Sequence, residues 1–374
     1  MDREKVKVYR LVEWDNNGKD IELYKTYNLT NFENYLSRAI YNSIINYDPG
    51  CNYPSREQQV FMLSNDLQKG CEHCCGGIDS DHWIDIHELN PSKNKEDRED
   101  YIKAKLQKHY EEAQSLGYEI FGIFVQGSQN YGLDLYTEKY WSDIDTKCIV
   151  LPSLDDIILN KKPTSTTHER ENKEHIDLKD IRLMWECFTK QNVNFMEILF
   201  TKYYIVPDKY KKYWDMMRGM AEDIAHAHPA QTVRTMSGMS MEKYKALKHP
   251  YPTIVDKIEK YGYDPKQLHH IVRINDFIQR YVAGMSFTEA MTPAPYNKIQ
   301  LKDIKLGKLN LQEAEELAKY YDDQTKRTKD IFINYHSKDG KDVINQKVYD
   351  KMNQIKAQIM KEHFVEELKE NEID

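Results

Sequence analysis

Gly127-Ser128-Gln129-Asn130-Tyr131-Gly132-Leu133, with Ser142-Asp143-Ile144-Asp145 beyond it, is the stretch that decides how this chain is read. The first segment follows the apolar run 120–125, and the second heads another run, 146–151, which Pro152 ends. Short apolar runs bounded by glycine, serine and proline predict strands. The pattern is therefore strand, glycine turn, strand, with polar residues where the strands start and stop. Side chains alternate in an extended segment, so Asp143 and Asp145 point one way and Ile144 the other, towards the interior.

Working outward, apolar positions at Ile102, Leu106, Tyr110 and Ala113 predict a helix over 97–117, with Gly117 as its C-cap. Residues 160–175 lack apolar periodicity and are expected to be an exposed loop, followed by a short third strand at His175-Ile176-Asp177-Leu178 and a helix to 190. From 208 onward the periodicity is helical, with helices expected at 208–228, 230–248, 252–261, 264–284, 311–332 and 341–370. Near the N-terminus, Val6-Lys7-Val8-Tyr9-Arg10-Leu11-Val12 alternates as a strand does. These readings give an accessory region 1–95, a core 96–207 and a helical domain 208–374. The fold class expected is α/β (α+β), with an all-α C-terminal region.

Composition narrows the classes. In 374 residues, 40% apolar and 30% charged content is that of a globular protein with length enough for a sizeable core. The net charge of -8 argues against a surface built for non-specific nucleic-acid binding, which needs many Lys/Arg–phosphate contacts, and leaves room for a local basic groove. The first residues are charged where a signal peptide would be apolar, and no run approaches transmembrane length, so no membrane partner and a cytoplasmic location are expected. Six cysteines in so long a chain do not make a disulfide framework. Cys71 and Cys74 form a Cys-x-x-Cys with Cys51, His82 and His87 in the vicinity; a structural Zn²⁺ is one reading, and free thiols, favoured by the absence of a second clean pair, the other.

The opening stretch has a chemical reading beside a structural one. Moving a nucleotidyl group means holding a triphosphate, neutralising its charge and lining up an acceptor hydroxyl, work done by position and electrostatics. Hard divalent ions prefer carboxylate oxygen, so two or three aspartates on neighbouring strands suit that task. Gly127 allows a tight turn and close backbone approach, and Ser128 offers a hydroxyl and an amide to a phosphate oxygen. The third carboxylate is placed at Asp177 rather than Glu174 or Asp180, because Ile176 and Leu178 alternate around it. The structural reading makes Gly127-Ser128 an ordinary turn and the aspartates solvated loop charge.

The same residues resemble those of a family. Gly127-Ser128-Gln129-Asn130-Tyr131-Gly132-Leu133 with Ser142-Asp143-Ile144-Asp145 is similar to the motif of the DNA polymerase β superfamily of nucleotidyltransferases, in particular its RNA-repair-associated branch. The likeness continues through Gln191-Asn192-Val193-Asn194-Phe195-Met196-Glu197-Ile198-Leu199-Phe200, through the helix segment Tyr263-Asp264-Pro265-Lys266 to His270-Ile271-Val272-Arg273, and through Ile304-Lys305-Leu306-Gly307. The resemblance covers roughly 120 to 330 and implies a polymerase β-like core with a short mixed sheet. It implies catalytic and metal-binding roles for Asp143, Asp145 and Asp177, with two Mg²⁺ ions that Mn²⁺ could replace. It also implies nucleotide binding by Gly127, Ser128, Tyr131, Lys266, His270 and Arg273.

The implied reaction is metal-dependent transfer of NMP from an NTP to an acceptor hydroxyl with release of pyrophosphate, the acceptor being an RNA end such as tRNA. Transfer to a protein or small molecule is the alternative within enzymes, and a non-catalytic nucleotide-sensing protein the alternative outside them. The chain departs from the family pattern by an overlong aromatic segment, 134–141, by Val193 in place of proline, and by a first 95 residues without a counterpart.

Overall fold

A computed structural model describes residues 5–15, 19–48, 55–69, 78–137, 140–170, 173–252, 254–338 and 341–371. The chain divides into two compact units, 1–109 and 110–374.

In the first unit, β1 (Lys7–Trp14) is the middle strand of an antiparallel sheet, between β2 (Asp20–Thr26) and β3 (His82–Glu88). Its strand forms where alternation predicts it: Leu11 is buried among Phe32, Leu36 and Ile40 of α1 (Leu29–Tyr41), Leu63 of α2 (Arg56–Gln68), and Ile84. Asn28 caps α1 through its side chain, and Ser55 with Gln58 forms a capping box on α2. Cys51, Cys71 and Cys74 lie outside the described residues. Among those described, His82 and His87 bond Asp79 and Asp85, at 2.6 and 3.1 Å.

The helix α3 (Lys95–Ser115), close to its predicted span, leads to the second unit. There a five-stranded mixed sheet has the order β6-β7-β5-β4-β8, formed by β4 (Glu119–Gln126), β5 (Asp145–Leu151), β6 (Ser165–Glu169), β7 (His175–Asp180) and β8 (Tyr204–Ile205). Only the β5–β7 pairing is parallel. The strand β6 corrects the loop expected over 160–175. Its residues, Ser165-Thr166-Thr167-His168-Glu169, form an edge strand with almost no buried side chain, so it carries no apolar alternation.

Short helices α4 (Ser128–Tyr131) and α5 (Leu154–Ile158) follow β4 and β5, and α6 (Ile181–Thr189) and α7 (Val193–Met196) follow β7. The rest is helical: α8 (Asp208–Gly219), α9 (Ala221–Ala225), α10 (Pro229–Ala246), α11 (Val255–Tyr261), α12 (Pro265–Val282), α13 (Phe287–Met291), α14 (Pro295–Lys305), α15 (Leu311–His336) and α16 (Gln346–Asn371), with a small hairpin of β9 (Ser337–Lys338) and β10 (Lys341–Asp342). The single helix expected over 208–228 is broken after Gly219, a poor helix former, where the Met220 N–H bonds back to Met217.

One apolar core joins the sheet to the helices. Phe121 and Phe124 of β4 pack on Trp214, with the Phe124 and Trp214 ring centroids 4.4 Å apart. Tyr210, Tyr213 and Trp214 are buried, so these aromatics serve the core. Met352, Ile355 and Ile359 bring α16 into the same core, and the Trp185 indole N–H donates to the Met352 carbonyl at 2.9 Å. Fully burying each such side chain contributes about 1.5–3 kcal/mol. No helix among the described residues is long and apolar enough to cross a membrane.

Candidate active site

The opening motif is built from its backbone upward. β4 ends at Gly127, whose φ of 92° and ψ of -148° belong to a region that only glycine enters cheaply. The chain then makes the single turn α4 and leaves it through Gly132, left-handed at φ 69°. The side chains between brace this turn. Gln129 donates to the Asp143 carbonyl at 2.7 Å, and Asn130 donates to the Val125 carbonyl at 3.0 Å while accepting from the Thr201 hydroxyl at 2.7 Å. The Tyr131 hydroxyl donates to Glu197, which also accepts the Gly127 N–H at 2.7 Å. Tyr131 is thus a buried strut. The Arg273 guanidinium lies over its ring, 4.6 Å from the centroid.

Glu197 was not singled out from sequence beyond its place in the motif, yet its buried carboxyl holds both ends of the turn. Burial raises it above the usual carboxylate range, outweighing the Tyr131 hydrogen bond and Arg273, which pull it down. Its signal was the run Glu197-Ile198-Leu199, a charge amid residues that are all buried.

Sheet register puts the carboxylates on one face. Gln126 pairs with Asp145 across β4 and β5, Lys147 with Asp177 across β5 and β7, and Thr167 with Asp177 across β6 and β7. Asp143 stands in the extended lead-in to β5, with Ile144 buried behind it. The environments of the three differ. Asp177 accepts from the Thr167 hydroxyl at 2.7 Å, from the Lys147 ammonium at 3.3 Å and from the Gln126 amide at 3.4 Å. Burial alone would lift it, but these partners outweigh that and hold it below the usual range. Asp145 accepts the His175 N–H at 2.9 Å.

Asp143 is the crowded one. Asp143 is exposed, yet partial loss of hydration on the side facing the sheet, then the Asp145 and Glu174 carboxylates, raise it above the usual range, against Lys266 and Lys305, which lower it. Glu174, set aside in favour of Asp177 on sequence grounds, is buried, accepts the Ile144 N–H at 3.3 Å and pairs with Arg170 at 2.9 Å. Asp180 is spent on Arg182 and on capping α6. Among the described residues no three His, Cys, Asp or Glu side chains are drawn together closely enough to hold a metal ion by themselves.

The cations come from two helices. Asp264 caps α12 by accepting the Lys266 N–H at 3.0 Å, with Pro265 in the first turn. This starts the helix so that Lys266, His270 and Arg273 follow one another on successive turns of one side. Lys266 is exposed and Arg273 buried; burial and Arg273 keep His270 neutral, well below its ordinary pKa. The neighbouring His269, not expected to take part, is pushed by burial to a pKa of about 3, and its buried Nε2 has no partner among the described residues.

Lys305, part of the Ile304–Gly307 segment of the resemblance but given no role by it, lies at the C-terminal end of α14. Its ammonium donates to the Ser142 hydroxyl at 3.1 Å, beside Asp143, and burial lowers its pKa to about 8. That hydroxyl also accepts the Leu135 N–H at 2.8 Å, while the Ser142 N–H bonds the Leu135 carbonyl at 2.8 Å. The overlong segment is therefore folded back on itself at its base, with Tyr136 paired to Trp141.

No family model matches the chain, and no curated protein matches it. Among solved structures, the chain is similar to a nucleotidyltransferase-like protein from Exiguobacterium sibiricum 255-15, at 9% identity over 61% of this chain and 75% of that one, with a TM-score of 0.25. At that TM-score the likeness carries no argument for this chain's fold or activity.

Proposed function

We propose that the protein transfers a nucleoside monophosphate from an NTP to an acceptor hydroxyl and releases pyrophosphate, in a core of the polymerase β type. The observation that carries this reading is a charge imbalance beside a glycine turn. Asp143 is crowded by Asp145 and Glu174 on one side and faced by Lys266 and Lys305 on the other. Among the described residues the Asp143 carboxylate has no ion pair of its own, and a carboxylate so placed, with ammonium groups facing it, suits a ligand that brings both signs, a divalent cation with a polyphosphate.

The carboxylates fit such a cation in part. Asp143 and Asp145 would hold Mg²⁺, since Asp143 carries a carboxylate that its surroundings leave under-compensated. Asp177 does not fit as it stands, because both its oxygens already accept hydrogen bonds. A site with two protein carboxylates is ordinary for Mg²⁺, which completes its shell with water and substrate phosphates. Bound there, it would neutralise phosphate charge and polarise the α-phosphate towards attack.

The protein's own groups do the positioning. The Gly127 turn, kept in its strained conformation by Glu197, brings the Ser128 hydroxyl and the first N–H groups of α4 to the phosphates. Lys266 and Arg273 offer charge-assisted contacts, and neutral His270 can take a hydrogen bond in either role. Asp177, held ionised by Thr167, Lys147 and Gln126, keeps β5, β6 and β7 in register beside Asp145 and so supports the site from within the sheet. An RNA end as acceptor rests on the motif resemblance alone.

Incubation with each α-³²P-labelled NTP, Mg²⁺ and separate pools of RNA, protein and small metabolites tests the reading. Label in RNA is the expected result, and label in protein or metabolite reassigns the acceptor. No label in any pool with any of the four nucleotides overturns transfer itself.

A further inference from the structure

The ladder pairs of β5 begin at Asp145, opposite Gln126, and at Thr146, opposite Ile176. The peptide unit between Asp143 and Ile144 lies just before them, and side chains hold both of its polar ends. Gln129 of α4 donates to its carbonyl at 2.7 Å, and Glu174 accepts its N–H at 3.3 Å. Carbonyl and N–H point in opposite directions from a trans peptide, so its plane is gripped from two sides. The grips come from separate turns, α4 after β4 and the hairpin between β6 and β7.

Glu174 is itself held. Its side chain is 6% exposed, and the oxygen not used on Ile144 accepts from Arg170 Nη1 at 2.9 Å. The Arg170 backbone N–H donates to the Glu174 carbonyl at 2.9 Å, closing the hairpin. Arg170 Nε donates in turn to Glu112 of α3 at 2.6 Å, and the second Glu112 oxygen meets His168 Nε2 at 2.7 Å. This chain of charges is more than a backbone N–H requires. A neutral acceptor would satisfy Ile144, and the Glu174 carboxylate opposes the ionisation of Asp143. What the carboxylate adds is a charge-assisted bond to a guanidinium already anchored on Glu112, and such bonds constrain direction as well as distance.

We propose that Glu174, braced by Arg170 against Glu112, is a positioning residue that clamps the Asp143–Ile144 peptide together with Gln129 and so sets where the Asp143 carboxylate stands. Asp143 is exposed and precedes the ladder, so its direction follows from that one peptide plane. Because Gln129 belongs to the Gly127–Gly132 turn, the clamp also ties Asp143 to the turn. With both its carboxylate oxygens engaged, Glu174 acts through the backbone and not as a ligand. Its bearing on catalysis rests on the nucleotidyl-transfer reading, whereas the clamp itself is measurable without transfer.

Hydrogen exchange on the full chain, read by mass spectrometry on peptides covering 142–146, tests the clamp. Glu174→Ala should speed exchange there by about 10-fold or more, as loss of one charge-assisted hydrogen bond predicts, while peptides from β4 keep their rate. Glu174→Gln, which keeps an acceptor for Ile144 and leaves Arg170 on Glu112, should exchange as wild type does. In transfer assays Glu174→Ala should lower kcat by about 100-fold with the NTP KM within about 3-fold, and Glu174→Gln should recover most of that loss. Should Glu174→Ala fail to fold, Glu174→Met, of similar volume but without an acceptor, replaces it with the same expectations. Unchanged exchange at 142–146 overturns the proposal, and so does a glutamine variant as impaired as the alanine one, since the charge itself would then be the agent. Faster exchange spread evenly over the sheet, with kcat kept, overturns it in favour of plain structural support. If wild type transfers no label, the nucleotidyl-transfer reading falls, and exchange alone upholds or overturns the clamp.

Discussion

Asp143, in the lead-in to β5, and Asp177, on β7, are carboxylates of one candidate site, and their surroundings are opposite. Asp177 is satisfied within the protein: Thr167, Lys147 and Gln126 use both of its oxygens and hold it ionised. Asp143 faces Asp145 and Glu174, which resist its ionisation, while Lys266 and Lys305 offset them only in part. The first arrangement stabilises a fold, whereas the second leaves an exposed carboxylate with no partner of its own among the described residues. The difference teaches which carboxylate is structural support and which is waiting for a ligand, a distinction that aspartates of the same residue type cannot reveal by themselves.

The largest effect expected is on activity. Asp143→Ala/Asp145→Ala should reduce Mg²⁺-dependent label transfer by at least about 1000-fold, roughly 4 kcal/mol of transition-state stabilisation, with the far-ultraviolet circular dichroism unchanged. Retention of transfer would make Asp143 mere loop charge. Asp177→Ala should act first on stability. It leaves the Lys147 ammonium, 4% exposed, without its partner at a cost of about 3 kcal/mol by urea denaturation, and Lys147→Met in the same chain should restore much of that loss. A double variant as unstable as the single one would break the contrast.

A finer test is the sign of a melting shift without metal. Asp143→Asn removes a repelled charge that solvent screens and should raise the melting temperature slightly, while Asp177→Asn removes a paired one and should lower it by a few degrees. Shifts of the same sign in both variants would erase the distinction. The smallest effect concerns pH. Lys305 is faced by Ser142, Asp134, Asp143, Lys266 and Lys302, and it loses its proton near pH 8, well before an ordinary lysine. Its ammonium is present below that pH, so inorganic pyrophosphate affinity should fall as pH rises through 8 to 9, and Lys305→Met should remove that step. A pH response identical in wild type and variant would assign the titration elsewhere.

The positions of these carboxylates are legible in the sequence, and the contrast between them is not. The strands β4, β5 and β7 carry apolar runs between turn formers, so Gly127, Asp143, Asp145 and Asp177 could be placed at strand ends and on one face. What escaped was either unpatterned or tertiary. The edge strand β6 buries almost nothing and so has no alternation to read. The helix α14 turns only Leu301 and Ile304 fully inward, too few to mark a period, and with the helix went the place of Lys305 beside Ser142. That Glu174 and Lys305 would sit beside Asp143, or that Lys147 would satisfy Asp177, follows from strand register and from helix packing across more than a hundred residues of chain. The Gly-Ser-x-x-Tyr-Gly-Leu motif was legible as a pattern, while the bracing roles of Gln129, Asn130 and Tyr131 needed their partners in view.

The central claim is that Gly127, Asp143, Asp145 and the facing cations move a nucleotidyl group. Parallel reactions with one NTP labelled at the α-phosphate or at the γ-phosphate, each with Mg²⁺ and total RNA, test this most directly. The account predicts that α-label enters the RNA, that γ-label appears only in released pyrophosphate, and that EDTA abolishes both outcomes. Entry of γ-label into the acceptor, or α-label transfer undiminished in EDTA, would contradict it.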